Sequence, residues 1–340
     1  MNERQSSGAA GASAEDEIIQ RYFAPLTQGH PGALGLTDDA AVLTPGPKDE
    51  LVLTADTIVA GVHFRDADSP RDAAHKALGV NVSDLVAKGA EPLVYLLSLA
   101  LTGQEDDRWL AEFSDGLLAA QTAFGCQLLG GDTVKTPGPV TITITAIGRV
   151  TPGRMVRRSG ATPGDLVFVS GTIGDAALGL RLLEGEMRTD ALHLEPGDAD
   201  HLRGRYLRPE PRVGLLTAVR DHASAAMDVS DGLAGDFRKL CAASGVGGAI
   251  HVADVPVSQA AGRALDADPA VIEALVTGGD DYEVLATVRA DRAKAFEADA
   301  REAGVAVAHI GEILPDRGRI RFLGGDGKEM TFARESFGHF

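Results

Sequence analysis

The sequence predicts an α/β (α+β) protein of two domains, and three observations predict it. At 340 residues the chain is long enough for more than one hydrophobic core. Runs with strand periodicity and runs with helix periodicity are mixed along its whole length. Thr151-Pro152-Gly153 breaks the pattern near the middle. The expected organisation is a small, polar, disordered arm over 1–14, a first domain over 15–150 and a second over 151–340.

Taken in order, Ser13-Ala14-Glu15-Asp16 has the form of a capping box, and Ile18, Ile19, Tyr22, Phe23 and Leu26 follow at helical spacing. Leu51-Val52-Leu53-Thr54 reads as a strand ending at Asp56. Ser69-Pro70-Arg71-Asp72 supplies an N-cap, a proline at the first helical position and an early acid, so a helix runs to about Lys88. That helix carries Asn81, Asp84 and Lys88 on one face. Pro92 to Leu101 reads as a buried strand and 106–124 as a helix. Gln127-Leu128-Leu129 is a short strand leading into Gly130-Gly131-Asp132, and Thr141 to Val150 alternates β-branched residues as a strand does. In the second half, Leu166–Ser170 is a strand, Gly171-Thr172-Ile173-Gly174 a turn, and a helix starts near Asp175. Residues 184–204 read as a polar, mobile insertion. Helices near 209–221 and 231–243, and strands near 249–252, 283–288, 307–313 and 319–323, complete the pattern.

Composition narrows the function. The net charge of −17 opposes non-specific binding to nucleic acid or to an anionic membrane. The longest apolar stretch, about Leu93 to Leu101, is too short to span a bilayer, and the N-terminus lacks the apolar core of a signal peptide. Cys126 and Cys241 are too few for a disulfide framework or a cysteine-rich zinc site, which fits a reducing cytoplasm.

Five aspartate signatures carry the chemistry: Thr37-Asp38-Asp39-Ala40-Ala41, Thr54-Ala55-Asp56-Thr57, Asn81-Val82-Ser83-Asp84, Gly130-Gly131-Asp132-Thr133 and Asp228-Val229-Ser230-Asp231-Gly232. Each adjoins an apolar run, where an unpaired charge is costly. Few cations stand near them in sequence. A divalent metal is the economical partner, and hard carboxylate oxygens suit Mg²⁺ working with substrate phosphates. A single such aspartate is more often a cap or turn residue; the set drawn from separate elements is what points to a multi-metal phosphate site. Nucleotide use is not signalled by a P-loop or by the protein-kinase motifs, which are missing from the sequence. Gly171-Thr172-Ile173-Gly174 reads equally as a phosphate turn or a plain tight turn. Arg154, Arg157 and Arg158 offer guanidinium groups to phosphate or to solvent. His63 either contacts substrate or packs on Phe64. Gly278-Gly279-Asp280-Asp281-Tyr282-Glu283 either binds a cationic ligand group or only turns the chain.

These motifs occur in order with Gly61-Val62-His63-Phe64, Arg158-Ser159-Gly160-Ala161, Leu207-Arg208-Pro209 and Phe337-Gly338-His339-Phe340. Together they resemble the thiamine-monophosphate kinase family of the aminoimidazole-ribotide-synthetase-like ATP-binding superfamily, from about residue 15 to the end. The resemblance implies the two-domain fold of that superfamily and a homodimer paired through the N-terminal domains. It also implies transfer of the γ-phosphate of ATP to thiamine monophosphate with the help of several Mg²⁺ ions. By motif matching it assigns Asp39, Thr54, Ala55 (through its backbone), Asp56, Asp84, Asp132, Asp228 and Asp231 to metal. Gly131, Asp132, Arg158 and Ser230 fall to ATP, and His63, Asp280 and Phe337 to thiamine monophosphate. No side chain is implied as the chemical catalyst itself. Three departures stand out: Thr37 where glycine is usual, Ala55 where Thr or Ser is common, and Asp280 in place of Glu. The rivals are a superfamily sibling, such as a selenophosphate or aminoimidazole ribotide synthetase, and a non-catalytic nucleotide- or thiamine-phosphate-binding protein.

Overall fold

The computed structural model describes residues 17–333. The expected arm over 1–14, the capping box at Ser13–Asp16, and Phe337 with its C-terminal motif lie outside the described residues. The chain opens on irregular helical turns over Ile19–Phe23, Ala24–Thr27 and Pro31–Leu36. Next come β1 (Glu50–Val59), α1 (Pro70–Ala87), β2 (Glu91–Leu101), α2 (Asp107–Phe124), β3 (Gln127–Lys135) and β4 (Thr141–Val150). The second half follows as β5 (Leu166–Ser170), α3 (Asp175–Leu183), α4 (Asp198–Leu207), α5 (Leu216–His222), β6 (Ala223–Val229), α6 (Leu233–Ser244) and β7 (Gly247–His251). It closes with α7 (Gln259–Ala267), α8 (Val271–Thr277), β8 (Glu283–Val288), α9 (Ala293–Glu302), β9 (Val307–Leu314) and β10 (Ile320–Leu323).

Two mixed sheets result, in strand orders β1-β4-β2-β3 and β10-β7-β9-β5-β8-β6. Helix α1 lies between them. Ser69 caps it by accepting the Asp72 N–H at 3.1 Å, and its buried positions run all round the helix, as expected of a helix with a partner on every side. It packs on β1, β2 and β4 of the first sheet and on β6 and β8 of the second. One continuous core therefore joins Leu78, Val82, Leu85, Ile142 and Ile144 to Phe168, Ala226 and Val284. A second core, with Phe237, Leu240, Ile250 and Phe322, fills the other face of the larger sheet under α6.

Three expectations are corrected by tertiary pairing. Strand β1 does not end at Asp56; ten consecutive pairs with β4 carry it to Val59, so Asp56 sits mid-strand. The strand expected over Gln127-Leu128-Leu129 does not stop before Gly130-Gly131-Asp132, which is the interior of β3, parallel to β2. There a Cβ on Gly131 would meet the Leu97 carbonyl oxygen at 1.8 Å, so the glycine serves a close backbone approach. The polar 184–204 segment is partly helical, since α4 begins at Asp198 and docks along α3. Among the described residues no helix is long and apolar enough to cross a membrane.

Candidate active site

A cleft of about 860 Å³ opens between the sheets, and most of the aspartate signatures converge on it. In β1 the side chains of Thr54 and Asp56 share the face turned to α1, because strand side chains alternate; Ala55 falls on the opposite, exposed face. Thr54 Oγ1 donates to Asp84 Oδ2 at 2.6 Å, and the Asp56 N–H donates to Asn81 Oδ1 at 3.0 Å. Asn81 and Asp84 of the expected face of α1 thus meet β1, while Lys88 reaches β6. From the other sheet, Asp228 stands buried near the end of β6, and Ser230 and Asp231 follow in the loop before α6. Asp236, in the first turn of α6, accepts the N–H groups of Ser230 at 3.0 Å and Asp231 at 2.9 Å and so fixes that loop. Lys239 pairs with both Asp231 and Asp236.

The carboxylates here feel one another. Burial, then Asp84, then Asp231 push Asp56 up to about 6. Burial, then Asp84, hold Asp228 well above the usual carboxylate range, although Ser83 and Lys88 act the other way. Lys88, donating to the Ala226 carbonyl at 2.7 Å, is held below its ordinary value by burial. Asp56 therefore binds its proton more tightly folded than unfolded. Between the unfolded value of 3.8 and about 6 the native state carries the extra proton, so stability falls as pH rises through that window and stays reduced above it. Metal-free protein is expected to melt higher at pH 5.5 than at pH 7.5, and Asp56→Asn to shrink that difference. An unchanged difference in the variant would count against the coupling.

The same cleft receives Arg158, Ser230, His63 and Asp280. His63 is oriented by the Val59 N–H, which donates to its Nδ1 at 3.1 Å. Of the other arginines, Arg154 is engaged by Asp221 at 2.9 Å. The Gly171–Gly174 turn is not a phosphate loop: both oxygens of buried Asp281 take the Gly174 N–H, at 2.8 and 3.0 Å. Asp39, Gly131 and Asp132 do not reach this cleft. They line a second pocket of about 670 Å³ with Leu96 and Thr145. In the strand order, β3 and β1 are opposite edges of the sheet, which separates Asp132 from Asp56 by about 14 Å at strand spacing.

Sequence reasoning missed Asp236, Lys239, Lys76 and Tyr206. Asp236 carried a signal, an acid in the first turn of a helix behind an aspartate-rich loop. Lys76, only 2% exposed, carried one too: it lies two turns before Asp84 on the same face of α1. Among the described residues no group of three or more His, Cys, Asp or Glu side chains is set to hold a metal ion by itself.

Comparison with known proteins identifies the family and the fold. Residues 37–150 match the AIR synthase related protein N-terminal domain, and residues 162–322 match its C-terminal domain. Thiamine-monophosphate kinase of Caulobacter vibrioides is 42% identical over 334 residues, which are 97% of this chain and 92% of that protein. The crystal structure of thiamine-monophosphate kinase from Stenotrophomonas maltophilia superposes with a TM-score of 0.80 at 36% identity, covering 91% of this chain and 98% of that one. A structure described as AaThiL complexed with AMPPCP and TMP superposes with a TM-score of 0.75 at 31% identity, over 87% and 89% of the two chains. The chain belongs to the AIR synthase related protein family and, within it, to the thiamine-monophosphate kinases.

Proposed function

We propose that the protein phosphorylates thiamine monophosphate with ATP, giving thiamine diphosphate and ADP by direct in-line transfer in the cytoplasm. The observation that carries this reading is the convergence of Asp56, Asp84, Asp228 and Asp231 with Arg158 in one cleft of a chain so similar to those kinases. The donor set fits Mg²⁺: four hard carboxylates, two of which, Asp56 and Asp228, are pushed above the usual carboxylate range by burial and then by the neighbouring Asp84. They do not form a closed cage, which suits an ion that keeps waters and shares phosphate oxygens. Asp56, Asp84, Asp228 and Asp231, with Thr54 beside Asp84, would hold the metal. Its positive charge would screen the repulsion between the two phosphate anions.

The chain's own residues supply position. Arg158 offers a guanidinium to the nucleotide phosphates, and the Asp236-pinned loop presents Ser230. The acceptor is a phosphate oxygen that is already anionic, so no strong general base is needed. That oxygen forms a bond to the γ-phosphorus as the bond to the β–γ bridging oxygen breaks, and ADP leaves. His63 and Asp280 stand at the acceptor end of the cleft. Neither cysteine serves as a nucleophile, because burial pushes both thiols up to about 12, which disfavours the selenophosphate-type sibling.

Residues 15–150 hold most of the metal set and pair two copies, while 151–340 complete the site. Support comes from the outer face of the first sheet, where Leu53 is 62% exposed beside Ala55 and Thr57. Asp39, Gly131 and Asp132 keep their assignment to metal and ATP, and pairing of two copies across this face is what would unite the two pockets.

The deciding experiment incubates ATP, Mg²⁺ and thiamine monophosphate with the protein, identifies the product by mass, and weighs the particle by sedimentation equilibrium. One thiamine diphosphate per ADP from a dimer is the expected result. Ligand binding without ADP release would favour the non-catalytic alternative.

A further inference from the structure

We propose that Asp280 reads a neutral N–H donor of the acceptor, the amino group of an aminopyrimidine, and that Lys76 is the positioning residue that holds it for this task. The inference rests on the acceptor being thiamine monophosphate, as above. Asp280 Oδ2 lies 2.8 Å from Lys76 Nζ, and its Oδ1 accepts the Tyr282 hydroxyl at 3.2 Å. Lys76 is nearly dry, with its ammonium 3.7 Å from the centroid of the buried Tyr206 ring. A carboxylate has about four lone-pair directions. Two are used here, and the side chain remains 28% exposed on the cleft wall, so acceptor capacity is left over.

That leftover capacity does not suit a formal cation. A carboxylate already neutralised by an ammonium presents little net charge further out, and a second cation beside it meets the repulsion of Lys76. A neutral N–H donor gains a hydrogen bond without that penalty. Thiamine monophosphate carries both kinds of group, a cationic thiazolium and a neutral aminopyrimidine, and the pair selects the second.

The backbone fixes where this happens. Asp280 and Tyr282 hold left-handed φ values of +73° and +51°, rare for such residues. The Asp280 N–H donates to the Ser230 carbonyl and the Tyr282 N–H to the Val229 carbonyl, each at 2.8 Å. A Cβ on Gly279 would lie 2.5 Å from the Ser230 oxygen, so the turn closes tightly on the segment that carries Asp228 and Asp231. The reading end and the phosphate end of the cleft are therefore built on one rigid piece, at a set separation.

The test compares three acceptors: thiamine monophosphate, the analogue with the pyrimidine amino group replaced by an oxo group, and the uncharged isostere with carbon in place of the thiazolium nitrogen. The oxo analogue is expected to lose on the order of 10²-fold or more in kcat/KM, because it sets a carbonyl oxygen against the Asp280 carboxylate where the amino group would donate a hydrogen bond. The uncharged isostere should stay within roughly tenfold. Lys76→Met is expected to raise KM for thiamine monophosphate by on the order of tenfold, leave KM for ATP unchanged and collapse the amino/oxo discrimination. A merely structural lysine would instead lower all rates together and preserve the discrimination, which would overturn its role. The reverse ranking of the two analogues would overturn the assignment of Asp280 and leave the activity standing. Absence of turnover with thiamine monophosphate itself would overturn the activity and this inference together. The three-acceptor comparison on the unaltered chain decides the partner of Asp280 whether or not Lys76→Met folds.

Discussion

Asp84→Asn and Asp231→Asn are each expected to lower turnover by about 10³-fold while the protein stays folded. Asparagine keeps the shape of both side chains and removes only the charge. At position 84 it can still accept the hydrogen bond from Thr54, so the local packing of β1 on α1 survives. The change also relieves repulsion, since Asp84 is a cause of the raised values of both Asp56 and Asp228. Metal-free Asp84→Asn should therefore melt no lower than the unaltered chain, and its Asp56 should titrate nearer the ordinary carboxylate value. Asp231→Asn frees Lys239 to pair with Asp236 alone, and the loop keeps its two N–H bonds to Asp236. Steady-state ADP release, with thermal melts as the control for folding, checks both. Near-wild-type turnover in the two variants would sink the assignment of this cleft.

Glu283→Ala is expected to cost about 3–5 kcal/mol of stability, a larger effect on folding than any change at the cleft surface. Glu283 has no solvent exposure and receives Ser170 Oγ at 2.6 Å, Arg205 Nη2 at 2.9 Å and Arg212 Nε at 2.8 Å. Truncation would open a buried hole and take the buried counter-charge from two guanidinium groups, leaving each the exposed Glu210 at 3.4 Å. Arg205 is itself only 6% exposed and also holds the Asp281 carbonyl at 3.1 Å, so the damage reaches the turn that carries Asp280. Glu283→Gln retains a hydrogen-bonding group and should lose less. Urea unfolding of the three proteins measures the difference. A loss below about 1 kcal/mol in the alanine variant would mean that the network is not a closed, buried one.

Local chemistry made much of the fold legible. Helix α1 was readable from Ser69-Pro70 with its early acid, because a cap and a fixed proline φ act within one turn. Strands β4, β5 and β8 were readable from their β-branched runs. Strand β6 was not, because Ala223, Ala225 and Ala226 have low strand propensity, and only pairing with β8 at the edge of the larger sheet makes them a strand. The same limit explains β3, whose glycines look like a turn until a neighbouring strand comes within contact of their backbone.

The candidate site divides along the same line. By itself the sequence determined which residues are chemically able to bind metal and phosphate: aspartates in five signatures, and Arg158 with its neighbours. Residue type and near-neighbour order decide that much. Tertiary structure alone decided which of them meet. It joined Asp56 from β1, Asp84 from α1 and the Asp228–Asp231 loop in one cleft, and left Asp39 and Asp132 across the sheet. It also revealed Lys76 against Asp280, 204 positions away in the chain. Charges act through space over a few ångströms, and only the packing of α1 between two sheets makes such distant positions neighbours.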